Sequence, residues 1–251
     1  MQKNILDRDI KDGVSIFCGC SNRLENIQIA SRTWFKCNEV NEIVIVDWNS
    51  SQPLRLCHPK LTIVRVNGVE WKNSAHAFNL AARFTSYNKI CKLDADYLVH
   101  RNFFSGHKLK ENDFFAGQRT AARDENEKHI HGFLYLKRKS FFEVNGYNER
   151  IETYGWEDSD IYERLEKNGL SKKSIDLNAI YHLRHGDMER VKNAQEWWLA
   201  MEPEDLIAEN KILCKENPWS KKDEMMNFEV KKKRFGSSKS KYYDCEVVDA
   251  E

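Results

Sequence analysis

The sequence contains no apolar run of about 18 or more residues, so no segment of it reads as a membrane-spanning helix. Its opening, MQKNILDRDIKDG, also lacks the apolar stretch of a secretory leader. Both absences suggest a cytoplasmic chain, unless it is part of a longer membrane-anchored protein. Net charge is missing as well: 40 Lys and Arg against 39 Asp and Glu leave +1. No global field exists to gather a polyanion, which argues against nucleic acid as a principal partner. The seven cysteines are odd in number and scattered. Cys18 and Cys20, the close pair, stand one residue apart where zinc and redox sites use two, and no second pair completes them. They read as reduced packing thiols. There is no internal repeat. The turn Cys18-Gly19-Cys20-Ser21 is a poor match to a glycine-rich phosphate loop, which counts against nucleotidyl transfer.

What is present is a charged, soluble-looking chain of 251 residues with a mean hydropathy of -0.72. Four short apolar runs mark its first hundred residues: Val14 to Cys18, Ile43 to Val46, Thr62 to Val66 and Ile90 to Leu93. Each has the length of a buried strand. Between the first two, Leu24, Ile27, Ala30 and Trp34 recur at helical spacing. Between the last two, Ala77, Leu80, Ala81 and Phe84 do the same behind Ser74, a candidate cap. Strands alternating with helices predict an α/β fold with a parallel, doubly wound sheet. In such sheets ligands bind beyond the carboxyl ends of the strands. Ser21-Asn22-Arg23, Asp47-Trp48-Asn49-Ser50 and Asp94-Ala95-Asp96 follow three of these strands, so three polar clusters converge on one edge. Further on, Phe114 to Gly117 and Phe133 to Lys137 read as strands, Asn145-Gly146 as a turn, and Ile175 to Leu183 as strand-like. A helix opens at Glu157 and stops at Asn168-Gly169; another is expected from Asn193 to Glu216. The Lys231 to Arg234 run reads as solvated surface, with at most peripheral contact to anionic lipid.

Asp94 and Asp96 emerge where an apolar strand leaves the sheet. Paired carboxylates there suit Mg²⁺ or Mn²⁺, ions that bridge protein carboxylates to substrate phosphates. Glu157 and Asp158 open a helix, where backbone N–H groups and the positive end of the dipole are expected to keep them ionised. An ionised carboxylate in that place can take a proton from an attacking hydroxyl. A histidine in His182-Leu183-Arg184-His185 can supply a nitrogen ligand to Mn²⁺. His129 and His131 are read as structural, since no acid cluster lies near them in sequence.

Taken in order, Asp94-Ala95-Asp96, Asn145-Gly146-Tyr147-Asn148-Glu149-Arg150 and Gly155-Trp156-Glu157-Asp158-Ser159-Asp160-Ile161 resemble a GT-A glycosyltransferase. The likeness runs over about residues 14 to 190. It is to the inverting enzymes with a β-1,4-galactosyltransferase-type C-terminal region, shared with chondroitin-polymerase-like family 2 enzymes. The resemblance implies a Rossmann-like, mostly parallel sheet flanked by helices, catalytic over 1–192, with a C-terminal helix and tail over 193–251. It implies Mn²⁺, or Mg²⁺, a UDP-sugar donor, and a glycan or other hydroxyl acceptor. Carried over by position, Asp158 would be the catalytic base and Asp96 a metal ligand with His185, while Asp94 would lie near the ribose or donor sugar. Asp47 would meet the nucleotide base, Arg23 would touch the nucleotide, and Trp156 and Glu157 would shape the sugar and acceptor pocket. Two departures stand out. The family pattern often has Trp-Gly-x-Glu-Asp, whereas Trp156 here runs straight into Glu157-Asp158, implying a tighter loop and an acceptor other than N-acetylglucosamine. His182 also offers a second nitrogen, leaving the choice between it and His185 open. A catalytically silent sugar- or partner-binding module of the same fold is the alternative reading.

Overall fold

The computed structural model describes residues 9–70, 74–184, 201–236 and 239–248. Its first four strands, β1 (Lys11–Cys20), β2 (Val40–Trp48), β3 (Leu61–Val66) and β4 (Tyr87–Lys92), coincide with the four apolar runs and extend most of them. Side chains alternate across a pleated strand, so each run feeds two cores. Ile16 and Cys18 join Ile43, Ile45 and Ile63 in one, and Phe17 between them joins Val44, Val46 and Val64 in the other. Helix α1 (Leu24–Trp34) covers the first core with Ile27, Ala30 and Trp34, and α2 (Ser74–Phe84) covers the second with Ala77, Leu80 and Phe84. Burial on both faces is why these strands carry continuous apolar runs. Each fully buried Phe or Ile contributes roughly 1.5–3 kcal/mol.

The later strands are β5 (Tyr97–Val99), β6 (Asp113–Ala116), β7 (Leu134–Lys137), β8 (Ser171–Ser174), β9 (Ile180–His182), β10 (Asn227–Phe235) and β11 (Lys241–Val248). The later helices are α3 (Phe103–Gly106), α4 (Arg138–Glu143), α5 (Glu157–Lys167) and α6 (Pro203–Glu216). Among the described residues the main sheet runs β10-β11-β3-β2-β1-β4-β7-β6-β8, and β5 pairs with β9 apart from it. Strands β3, β2, β1 and β4 are parallel. The chain steps outward from β1 to β3 and then crosses back to lay β4 on the other flank of β1. A crevice opens at that reversal, beyond the carboxyl ends of β1 and β4. Strand β7 is antiparallel to β4 with Leu134 opposite Lys92, so the turn before β7 meets the end of β4.

Some elements differ from expectation. Of the strand-like stretch 175–183 only Ile180–His182 is a strand, and Ser171–Ser174 forms an edge strand that its polar Ser-Lys-Lys-Ser sequence does not announce. Asn145 and Gly146 make the expected turn, at φ 60° and 56°. The C-terminal helix begins at Pro203; residues 193–200 and the domain limit at 192/193 lie outside the described residues. The tail returns as the hairpin β10–β11, and β11 pairs parallel to β3, joining the main sheet. All seven cysteines are free thiols. No helix among the described residues is long and apolar enough to cross a membrane.

Candidate active site

The crevice holds a pocket of about 430 Å³, with Asp94, Asp96, Glu157, Asp158 and His182 among its lining residues. A larger cavity of about 1170 Å³ lies beside Asn88 at the opposite end of β4. Of its three acids, Glu111 and Glu143 are paired with Lys137 and Lys139 and the third is Glu224, whereas the smaller pocket gathers four acids with three histidines.

Strand β4 ends in Lys92, whose side chain is only 2% exposed. Its ammonium lies 2.7 Å from Asp94 Oδ1 and 3.5 Å from Asp158 Oδ1, and donates to the Gly132 carbonyl at 2.8 Å. Burial alone would lower the lysine pKa, but the carboxylates of Asp158 and Asp94 outweigh it and raise it, so the amine stays charged. Asp94 keeps 31% of its side chain open to the pocket. Desolvation lifts its pKa to about 6, Lys92 opposing and Asp96 and Asp158 adding to the rise.

The next residues form β5, and its antiparallel pairing sets Tyr97 opposite His182. That pairing, tightened by Leu183 N–H donating to the Asp96 carbonyl at 2.8 Å, brings His182 Nε2 to 3.7 Å from Asp96 Oδ1. Asn126 fixes the imidazole. Its amide NH₂ donates to the His182 carbonyl at 2.9 Å, which turns its oxygen toward His182 Nδ1, also at 2.9 Å. Nδ1 then donates to Asn126 Oδ1, and Nε2 is the nitrogen turned toward Asp96. A carboxylate and an imidazole, the latter held by an amide behind it, are a donor set that fits Mn²⁺. Among the described residues no three His, Cys, Asp or Glu side chains form a metal cluster by themselves. A pair of protein ligands completed by substrate phosphates is the usual arrangement for such ions.

The opposite wall is the start of α5. Gly155 at φ 89° is followed by Trp156, a bulky residue at φ 73°, in a conformation that non-glycine residues rarely adopt. Asn210 of α6 supports this loop, donating to the carbonyls of Tyr154 at 3.2 Å and Gly155 at 2.9 Å. Lys211 lies over the Trp156 ring, 5.0 Å from its centroid. Asp158 accepts a hydrogen bond from Tyr147 Oη at 3.2 Å on Oδ1, the same oxygen that faces Lys92. Tyr147 is held in turn by Asn79 of α2, which accepts from its N–H at 2.8 Å and donates to its carbonyl at 2.9 Å.

The structure brings Arg23, Asp94, Asp96, Trp156, Glu157 and Asp158 to one pocket, together with His182, the alternative nitrogen that the sequence offers. His185 lies outside the described residues. Asp47 is fully buried and is not among the lining residues of this pocket. Arg65 stands directly opposite on β3 and captures its carboxylate at 2.6 Å, with Leu54 N–H donating to the same oxygen at 2.9 Å. The other Asp47 oxygen, Oδ1, is buried with no hydrogen-bond partner among the described residues. Glu157 lines the pocket as expected but differs in ionisation. Desolvation and the charge of Asp158 push its pKa up to about 8, defeating the backbone N–H and Lys92 that favour ionisation. His129 and His131 are not remote from the acids: both line the pocket, because the β4–β7 pairing folds their turn against β4. Burial lowers the His131 pKa, as do Arg119, Lys172 and Lys92, against the pull of Asp158. Lys92, Asn126, Gly132, Tyr147 and Asn210 were not anticipated; a lysine inside an apolar strand was the signal available for the first.

A protein-family model described as the N-terminal domain of galactosyltransferase matches residues 114–186, the stretch carrying Gly132, Asp158 and His182. The catalytic domain of Drosophila β-1,4-galactosyltransferase 7 with xylobiose, and a mutant of that enzyme with manganese, UDP-Gal and xylobiose, are similar at TM-score 0.63. Each is 13% identical, with 96% of both chains covered. The fold is that of the GT-A glycosyltransferases. Other GT-A matches cover less. A mannosyltransferase from Pyrobaculum calidifontis, in complex with GDP-Man and Mn²⁺, gives TM-score 0.50 and 15% identity over 66% of this chain and 57% of the other. TarS from S. aureus gives 0.51 and 13% over 68% and 60%. No curated protein sequence matches the chain.

Proposed function

We propose that this protein is a metal-dependent, inverting glycosyltransferase that moves a hexose from a UDP-sugar to a hydroxyl of a glycan or similar acceptor. The observation that carries this reading is the convergence of three distant segments on one pocket: the end of β4 with Asp96, β9 with His182, and the start of α5 with Asp158. The likeness to a structure holding manganese, UDP-Gal and xylobiose supports the choice of ligands. Asp96 and His182 would hold Mn²⁺, with His185 as the further ligand suggested by the sequence. The metal would offset the charge of the departing diphosphate. Arg23 would contact the nucleotide, and Asp94 the ribose or donor sugar.

Asp158 is the proton acceptor in this reading. Lys92 and Tyr147 both engage its Oδ1, which leaves Oδ2 toward the gap over Gly132 for an incoming hydroxyl. Attack from that side displaces the diphosphate in one step, and the anomeric centre inverts. Glu157, protonated below about pH 8, is a donor rather than a second base. The loop of Trp156 forms the acceptor wall. Replacing Asp158 with Asn preserves shape but removes the proton acceptor. Mn²⁺-dependent UDP release from a panel of UDP-sugars should then fall by roughly 10²–10⁴-fold, while UDP-sugar binding by calorimetry persists. Wild-type turnover in Asp158→Asn would remove Asp158 from the role. Failure of the parent protein to turn over any UDP-sugar would favour a silent binding module.

A further inference from the structure

The buried amine of Lys92 is the feature of the pocket that the reaction as described does not use. Lysine is almost never fully buried unless its charge is paired. A buried ion pair is also weak grounds for stability, since an apolar side chain of similar volume often serves as well or better. The setting makes that alternative concrete. Lys92 pairs with Phe17 on β1 and Leu134 on β7, and its amine lies 4.4 Å from the Phe78 ring centroid. A methionine would fill that apolar sleeve without the cost of desolvating a charge.

What methionine could not do is satisfy three acceptors. An ammonium has three N–H groups. The groups around this one are Asp94 Oδ1 from the end of β4, Asp158 Oδ1 from the first turn of α5, and the Gly132 carbonyl from the turn before β7. The three come from chain segments that only tertiary structure brings together. We propose that Lys92 is a positioning residue, whose ammonium ties Asp158 to Asp94 and Gly132 so that Oδ2 of the base is aimed at the acceptor hydroxyl. This rests on the reading of Asp158 as that base. Lys92 also lines the pocket, and in this proposal it acts through Asp158. Without it, Asp94 and Asp158 would face one another with no buried cation between them.

The test is a mutant cycle read by Mn²⁺-dependent UDP release from the best-used UDP-sugar of a panel, with thermal melts to establish that each variant is folded. Lys92→Met should lower kcat by about 10²-fold, the penalty of a displaced catalytic group, with a smaller loss of UDP-sugar affinity through Asp94. Lys92→Arg keeps the charge and should stay above Lys92→Met; the reverse order would overturn the proposal. A purely structural lysine would lower activity equally in any background. A positioning role predicts instead that Lys92→Met adds nothing further to Asp158→Asn. Fully multiplicative losses, or unchanged kcat in a folded Lys92→Met protein, would overturn the proposal while leaving Asp158 as base. Wild-type activity in Asp158→Asn would overturn the base assignment itself, and absence of any turnover by the parent would overturn both.

Discussion

Gly132 is the position where one added carbon should separate folding from activity. It lies in the 3₁₀ turn before β7, where its backbone does not require glycine, so alanine is conformationally allowed. A Cβ there would sit 2.9 Å from Asp158 Oδ2, from Asp94 Oδ2 and from Lys92 Nζ. Ordinary contact begins at 3.4 Å, so each of the three must retreat by about 0.5 Å, the difference between 3.4 and 2.9. All three are side-chain ends and not backbone, so the fold can yield. Overpacking of this kind costs roughly 1–3 kcal/mol, and the lost backbone freedom of the unfolded chain returns about 0.4–1 kcal/mol. The net is on the order of 1–2 kcal/mol, or a fall in Tm of roughly 2–8 °C for a chain of this length. Activity should suffer far more. A misplacement of 1 Å can cost about 10²-fold, so 0.5 Å on the base should cost at least about 10-fold in kcat. The methyl also narrows the gap that the acceptor hydroxyl would approach. Differential scanning fluorimetry and Mn²⁺-dependent UDP release measure the two effects on one preparation. A Gly132→Ala protein with the parent's kcat would refute the reasoning, because the carboxylates would then not be working from their observed positions.

Glu157 gives a pH signature. Folded, it keeps its proton up to about pH 8, while an unfolded chain releases it near 4.5. The folded state therefore binds more protons in that window. Its contribution to stability is complete below about 4.5, declines as pH rises, and is gone above about 8. Glu157→Gln should flatten this slope in urea titrations from pH 5 to 8; an identical slope in both proteins would show that Glu157 ionises normally. Asn126→Leu removes the amide that orients His182, and should weaken Mn²⁺ binding about 10–100-fold with the fold intact; unchanged affinity by calorimetry would exclude His182 from the metal site. Asn210→Ala strips the support from the Tyr154 and Gly155 carbonyls. It should raise the acceptor KM more than the donor KM and cost about 1–3 kcal/mol of stability; equal changes in both constants would argue against an acceptor loop at Trp156.

The order of strands and helices in the first hundred residues was readable because each apolar run is local and feeds a sheet covered on both faces. The acids at the ends of β4 and at the start of α5 were readable for a related reason: a strand end and a helix start are marked by their own neighbours. What could not be read was the company these acids keep. Asp47, at the end of β2, is one case. Register then put Arg65 across from it, and a cross-strand cation 2.6 Å away decides where a buried carboxylate points. Register is a long-range property, set by which strands pair and in what phase. His129, His131 and Gly132 were invisible for the same cause, since the β4–β7 pairing alone brings their turn to the acids.

Ionisation was misread where two local rules conflict. At a helix start, dipole and N–H groups favour a carboxylate by about 0.3–1 kcal/mol when exposed. Enclosure beside another carboxylate works against it, and such burial can raise a pKa by several units. For Glu157 the second effect wins. The sequence could show the helix start, but the depth of the pocket is built by the His131 turn, the α6 support of the Trp156 loop and the end of β4 together. This also explains why a single lysine has such leverage here. With Glu157 neutral, Asp94 and Asp158 are left to face one another, and Lys92 is the buried cation that sits between them. The geometry of the base is therefore a property of three chain segments and not of the α5 motif that carries it.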